Sequence, residues 1–357
     1  TVGCLKSGAL LRRVGHIRVF LAMSAIASAA PLIHGLVVEP IIWGVLRFLT
    51  GFCLASLYIV IESWLNERST NANRGVIFST YSMITLTMMA AGQMMNLLYN
   101  PVGLQLFVIS SILFSIGAVP IALSVSPSPD QPASTKTDIR ELFHTSPSGT
   151  VGCFAVGLAN GAFWGLAPLY AAATGNDISM AAWFMAAAII GGAILQWPLG
   201  LLSDAVSRRK VLVAVCFLGA AAGLALAFLA PRFGVVSIIL LGGVWGAFAF
   251  PLYSIVVAYV NDYADHGDYV KVSAGLLLVY GIGAIIGPFV ASALITLRGA
   301  DGLFLFTAVV HVLLIGFVIY RFAREGTQAD EPIAFGDALS AAQTASQVYE
   351  EELQEQQ

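Results

Sequence analysis

The sequence has 357 residues, of which 58% are hydrophobic and 10% charged, with a net charge of −3 and a mean hydropathy of +0.84. A soluble domain is about 45–50% apolar and about 25% charged, so this composition excludes a water-soluble globule. The small net charge selects no nucleic-acid partner, and the four cysteines stand singly in apolar runs, which excludes a disulfide framework or a Cys/His metal site.

In chain order, residues 1–10 are apolar but too short to cross a bilayer, and read as the cytoplasmic end of a helix. Ten stretches then follow near 17–38, 40–61, 75–98, 102–125, 151–173, 178–202, 211–230, 234–260, 270–296 and 302–322. Each supplies the ~20 apolar residues of a membrane span. Without water in the bilayer, each must be a helix that satisfies its own backbone. Residues 125–149, rich in Pro and Ser, read as a linker. Asp138 and Glu141 are placed to cap a short helix there, presenting Ile139, Leu142 and Phe143 to the membrane surface; the alternative is a solvated linker without that contact. From Glu325 the chain is acidic and polar, the composition of a disordered tail.

Charge fixes orientation. Of the 17 Lys and Arg, all but Arg47, Arg232 and Arg298 fall on one set of alternating loops. Basic loops stay in the cytoplasm, which places the linker and the C-terminus there.

The chain also nearly repeats itself. GFCLASLYIVIESWLNE (51–67) lines up with GAFAFPLYSIVVAYVND (246–262), pairing Gly51 with Gly246, Leu57 with Leu252, Tyr58 with Tyr253 and Glu67 with Asp262. GALLRRVGHIR (8–18) matches the design of GLLSDAVSRRK (200–210). A duplicated half in so apolar a chain is the plan of secondary transporters.

These loop signatures and the duplicated design resemble the major facilitator superfamily over the whole apolar region. Gly200, Leu202, Asp204, Arg208 and Arg209 fit the family's loop between the second and third helix of each half, with Ser207 in place of the usual Gly. In the first-half copy, Arg12 stands where the family has Asp. Arg47 and Gly51 fit the R-x-x-x-G signature of the fourth helix. Residues 47–68 and 196–212 are similar to the YcaD-like branch. The resemblance implies an all-α membrane protein of two pseudo-symmetric six-helix bundles. Four spans precede the linker and six follow it, so the first helix and most of the second are expected to lie outside this sequence, some 30–40 residues given the length of a span. A groove is then expected in the N-terminal bundle. The division is 1–124 N-terminal bundle, 125–149 linker, 150–324 C-terminal bundle and 325–357 tail.

Arg47 is the basic residue placed well inside a span, about 10 Å from the extracellular end of its helix at 1.5 Å per residue. A charge there costs ~2.5 kcal/mol or more unless it faces a polar interior. The family associates the matching Arg with proton coupling or substrate contact. Gln93, Asn96, Asn160, Trp164, Tyr170, Gln196, Trp245, Tyr253 and Tyr280 are polar or aromatic residues within spans that can line a cavity, for a neutral or weakly charged solute with a flat ring. The alternative for each is an interfacial anchor or a helix–helix hydrogen bond. His311 reads as such a helix–helix bond. Asp204, Arg208 and Arg209 have the chemistry of a cytoplasmic latch, reaching Asp262, Asp265 or Asp268, and Glu62 sits at a gate position on the same side. Gly283 and Gly287, four apart before Pro288, permit close helix contact.

The expectation is a secondary active transporter of a small organic solute working by alternating access, coupled to protons, monomeric, without cofactor, metal or nucleic-acid partner, in a bacterial inner membrane. No Gly-Lys dipeptide exists to build a phosphate-binding loop, and no HExxH or GxSxG suggests an enzyme. The alternative is a non-transporting sensor on the same fold.

Overall fold

The computed structural model describes residues 14–68, 74–100, 103–123, 142–144, 146–175, 179–262 and 269–325. Among them there is no strand. Helices α1 (His16–Leu36), α2 (Pro40–Arg68), α3 (Arg74–Leu98) and α4 (Gln105–Ala122) form the first half. The second contains α5 (Pro147–Gly175), α6 (Ser179–Ala205), α7 (Arg208–Phe228), α8 (Val235–Ala249), α9 (Pro251–Asn261), α10 (Tyr269–Arg298) and α11 (Gly302–Glu325), with one further turn at Ala230–Phe233. Helices α8 and α9 together make one span, Val235–Val260. Pro251 divides them because it has no N–H for the carbonyl one turn back.

Nine of these segments are long and apolar enough to cross a bilayer among the described residues. The third expected span corresponds to α3, which is 25 residues long and includes the apolar stretch Met83–Leu98. Two tight turns use glycine where the backbone demands it. Gly234 begins α8 at φ +85°, and Gly299 ends α10 at φ +80°, its N–H donating to the carbonyl of Ile295. A side chain at either position would be strained.

The second half holds the main core. In it α5 runs along α10, α6 along α8 and α7 along α11. Two of these pairs are backbone-close. A methyl group on Gly157 or Gly161 would overlap the carbonyl of Tyr280 or Ala284, and one on Gly283 or Gly287 would overlap that of Phe154 or Leu158. The Gly283/Gly287 spacing thus meets its own counterpart, Gly157/Gly161, on α5. Gly191 lies against the backbone of Gly243, and Gly246 against that of Ala188. Lipid supplies no hydrophobic drive between helices, so such dense contact is what joins them.

In the first half, α1 packs on α2 and α4. Ser28 donates to the carbonyl of Ser111 at 3.1 Å, and its Oγ lies 2.8 Å from that of Ser115. The halves meet where α3 lies on α6. A groove with a volume of about 430 Å³ lies between α1, α2 and α4, lined by Phe20, Ser24, Leu54, Leu57, Tyr58, Ile61, Ser110, Leu113, Phe114 and Gly117. Under the internal repeat, Ile61 corresponds to Val256, and in the second half that residue is covered by α5 at Gly152.

The linker expectation needs correction. Leu142 is 4% exposed and belongs to the core of the second half, so it does not lie on the membrane surface. Phe143 is exposed, as expected. Thr150 Oγ1 donates to the carbonyls of Leu142 and Ser146, and α5 starts four residues earlier than the apolar pattern suggests because this stretch is seated against Val260. Asp138, Ile139, Glu141 and the tail beyond Glu325 lie outside the described residues.

Candidate functional site

The loop signature falls between α6 and α7. Arg208 is 5% exposed and spreads its guanidinium over three partners. Nε donates to Asp262 Oδ2 at 2.7 Å, Nη1 to Ser203 Oγ at 2.9 Å, and Nη2 lies 2.9 Å from Asp204 Oδ1. A planar fork suits this geometry, and three polar partners offset the cost of burying the charge. The turn therefore ties the end of α6 to the end of α9. Arg209 donates to the Tyr259 hydroxyl, at 2.7 Å from Nη2 and 3.2 Å from Nε, and lies 5.6 Å from that ring's centroid. Ser207 needs no glycine, since its φ is −47°.

Of the three carboxylates considered for this latch, Asp262 is the one Arg208 reaches; Asp265 and Asp268 lie outside the described residues, as do Arg12 and Arg13. Glu62 is on α2, but its side chain is outside the described part.

On α2, Arg47 is exposed and forms no ion pair among the described residues. Gly51, Leu54 and Tyr58 follow on its face at helical spacing. Leu54 and Tyr58 line the groove, so Arg47 stands about 10 Å along the axis from it. A methyl on Gly51 would touch nothing. On α3, Gln93 and Asn96 are half-buried, and Asn96 Nδ2 donates to the carbonyl of Gln93 at 3.3 Å.

The second half brings five expected residues together. The Asn160 side chain faces Tyr280. Tyr280 meets Tyr253 edge-on at 4.9 Å between ring centroids. Next to Tyr253, Ser254 Oγ accepts a 2.8 Å hydrogen bond from Gln196 Nε2. One turn from Asn160, Trp164 stacks on Phe250 at 5.3 Å and 7° between planes. Helices α5, α6, α9 and α10 thus each contribute a polar side chain, and the Phe250–Pro251 junction contributes a ring.

Two expected lining residues sit elsewhere. Trp245 is fully buried, stacked on Phe163 at 4.5 Å and edge-on to Phe250 at 5.9 Å, so it backs the site. Tyr170 is equally enclosed and donates to the carbonyl of Leu226 at 2.8 Å, joining α5 to α7. His311 is buried with its ring beside Gly219 on α7. Phe250, Ser254 and Ser203 escaped the sequence reading. Phe250 was signalled by the proline after it, and the two serines by nothing but their register. Cys53, Cys153 and Cys216 are fully buried, as expected of small core residues. No cluster of metal-ligating side chains occurs among the described residues.

The model of the Major Facilitator Superfamily matches residues 149–348. The uncharacterized MFS-type transporter YcaD of Salmonella typhimurium is 28% identical over 340 residues, covering 93% of this chain and 85% of that protein; YcaD of Salmonella agona is 28% identical over 345 residues, with the same coverage. Among solved structures, the nucleoside transporter NupG has a TM-score of 0.70 at 14% identity, covering 90% of this chain and 88% of that one. The E. coli fucose:proton symporter FucP has a TM-score of 0.56 at 14% identity, covering 90% and 87%. At such identities these two show the fold alone. With the paired helical halves and apolar spans, these matches show that the chain is a multi-pass integral membrane protein belonging to the Major Facilitator Superfamily of transporters.

Proposed function

We propose that the chain is a secondary active transporter that moves a small organic solute by rocking its two halves about a central site. The observation that carries this is the polar–aromatic cluster of Asn160, Tyr280, Tyr253, Gln196, Ser254 and Trp164 inside otherwise apolar helices. Polar groups at membrane depth are costly and mark solute or ion pathways. The Asp204–Arg208–Asp262 tie holds the cytoplasmic end of the second half in one arrangement, to be loosened when that end opens. Arg47 is the coupling residue in this scheme and the proton the coupling ion. FucP, described as a proton symporter, offers an analogy at the level of fold. The transporter works as a monomer in a bacterial inner membrane, with its C-terminus in the cytoplasm, as its basic loops imply.

Purified protein in liposomes loaded with a pH-sensitive dye tests both parts. Solute addition from a metabolite mixture should drive proton movement, and Gln196→Ala should suppress it. Solute binding without any flux would favour the sensor reading.

A further inference from the structure

We infer that the start of α7 and the end of α9 are folded only against each other, with Tyr259 as a positioning residue for the Arg208–Asp262 tie.

The charges at these two ends carry this. A helix start is positive and a helix end negative, so a start favours Asp or Glu and an end favours Lys or Arg. Both ends here are the wrong way round. The first turn of α7 holds Arg208, Arg209 and Lys210 with no acidic residue, and its N-cap, Ser207, makes no side-chain capping bond. Asp262 stands at the C-cap of α9, whose last turn has no basic residue. Alone, each terminus opposes its own dipole. In contact, each supplies what the other lacks: the cations of α7 meet the negative end of α9, and Asp262 meets the positive start of α7. Asp204, at the end of α6, also reaches Arg208 and stays with it when α9 leaves, but one carboxylate does not offset three cations.

Among the described residues, two side chains of each helix make the contact. Arg208 Nε donates to Asp262 Oδ2 at 2.7 Å. Arg209 Nη2 donates to the Tyr259 hydroxyl at 2.7 Å, with the guanidinium 5.6 Å from the ring centroid. Arg208 and Tyr259 are 5% and 4% exposed and the Asp262 side chain 6%, so these groups meet out of water, where charges act strongly. Tyr259 and Asp262 are three apart on α9 and share a face. The neutral hydroxyl adds nothing to the charge balance. It holds Arg209, and through the shared turn it sets where Arg208 stands. Lys210 and Val211 both donate their N–H to the Ser207 carbonyl, at 2.9 and 3.1 Å, so the turn that carries both arginines is closed by main-chain bonds that fraying breaks. Parting α7 from α9 therefore does not separate two finished helices; it frays both. The place of this fraying in a transport cycle rests on the function proposed above, whereas the mutual folding does not.

The test is hydrogen–deuterium exchange on the purified full chain, read by mass spectrometry over residues 210–214 and 258–262. Tyr259→Phe keeps the ring under Arg209 and removes the hydroxyl. It should speed exchange in both windows by at least ~5-fold while α5 and α10 exchange as before, because local openings differ between parts of a structure. Arg209→Lys, which keeps the charge and loses the fork, should do the same from the other helix, and it serves alone if Tyr259→Phe does not fold. Lys210→Glu, on an exposed residue outside the tie, gives the start of α7 the charge its dipole favours. Added to either variant, it should slow residues 210–214 by about 3-fold and leave 258–262 fast. Faster exchange confined to the helix that carries the substitution, faster exchange throughout the chain, or no response of 210–214 to Lys210→Glu overturns the inference. Both windows faster in Tyr259→Phe with solute flux intact means that the mutual folding stands and that the tie is not the gate.

Discussion

Replacing Asp262 by Asn should uncouple the end of α9 from the α6–α7 turn. The Arg208 and Asp262 side chains are 4% and 6% exposed and meet at 2.7 Å, so the pair is shielded from solvent and salt. Breaking a fully buried pair costs about 3–5 kcal/mol when it strands a charge. Here Asp204 at 2.9 Å and Ser203 remain with the guanidinium, so the loss is nearer that of one hydrogen bond to a charged group, about 1.5–3 kcal/mol. At about 2–4 °C per kcal/mol for a unit of this size, the melting temperature of Asp262→Asn should fall by roughly 3–12 °C. The decisive assay is a double-mutant cycle with Arg208→Gln. Residues joined as described should show a coupling of about 1 kcal/mol or more. Additivity to within about 0.5 kcal/mol would refute the claim that these side chains act as a unit.

Gly161→Leu should force α5 from α10 and destabilise the fold by about 1–3 kcal/mol or more, whereas Gly92→Leu on α3, where a methyl meets nothing, should be nearly neutral; melting curves in detergent compare the two. Arg47→Ala should abolish solute-driven proton flux, with poor rescue by Arg47→Lys if the planar fork is used, while normal flux in Arg47→Ala would leave the residue without a coupling role. Burial pushes the Asp301 carboxyl, between α10 and α11, above its usual range. A raised carboxyl favours the protonated folded state, so stability falls as pH rises through its titration. Asp301→Asn should therefore melt higher than the parent at pH 8, with the gap closing as pH is lowered.

Hydropathy and loop charge made the spans legible because the bilayer leaves the backbone so few options. The Arg208–Asp262 contact was also readable, since a loop motif and a repeat put both residues at the same end of the bundle. Cavity lining was not. Asn160 and Tyr170 lie on one helix with similar credentials, yet one meets Tyr280 and the other ties to α7; rotation about a helix that is apolar all round leaves no pattern in the sequence. Leu142 was misplaced because a three-residue apolar patch reads the same whether its cover is lipid or protein.

The second half is glued in two different ways. Within the α5–α10 and α6–α8 pairs the contact is backbone on glycine, and with no side chains in between there is nothing to rearrange. Between those pairs the contact is ring on ring: Trp164 with Phe250, Phe163 with Trp245, Tyr253 with Tyr280. Rings can slide and tilt at little cost, whereas interlocked backbones cannot. These two pairs are therefore stiff slabs with a ring-lined joint between them, and the polar cluster lies along that joint. Under the proposed function, a solute entering there would wedge the slabs apart, so that occupancy and a change of shape become a single event.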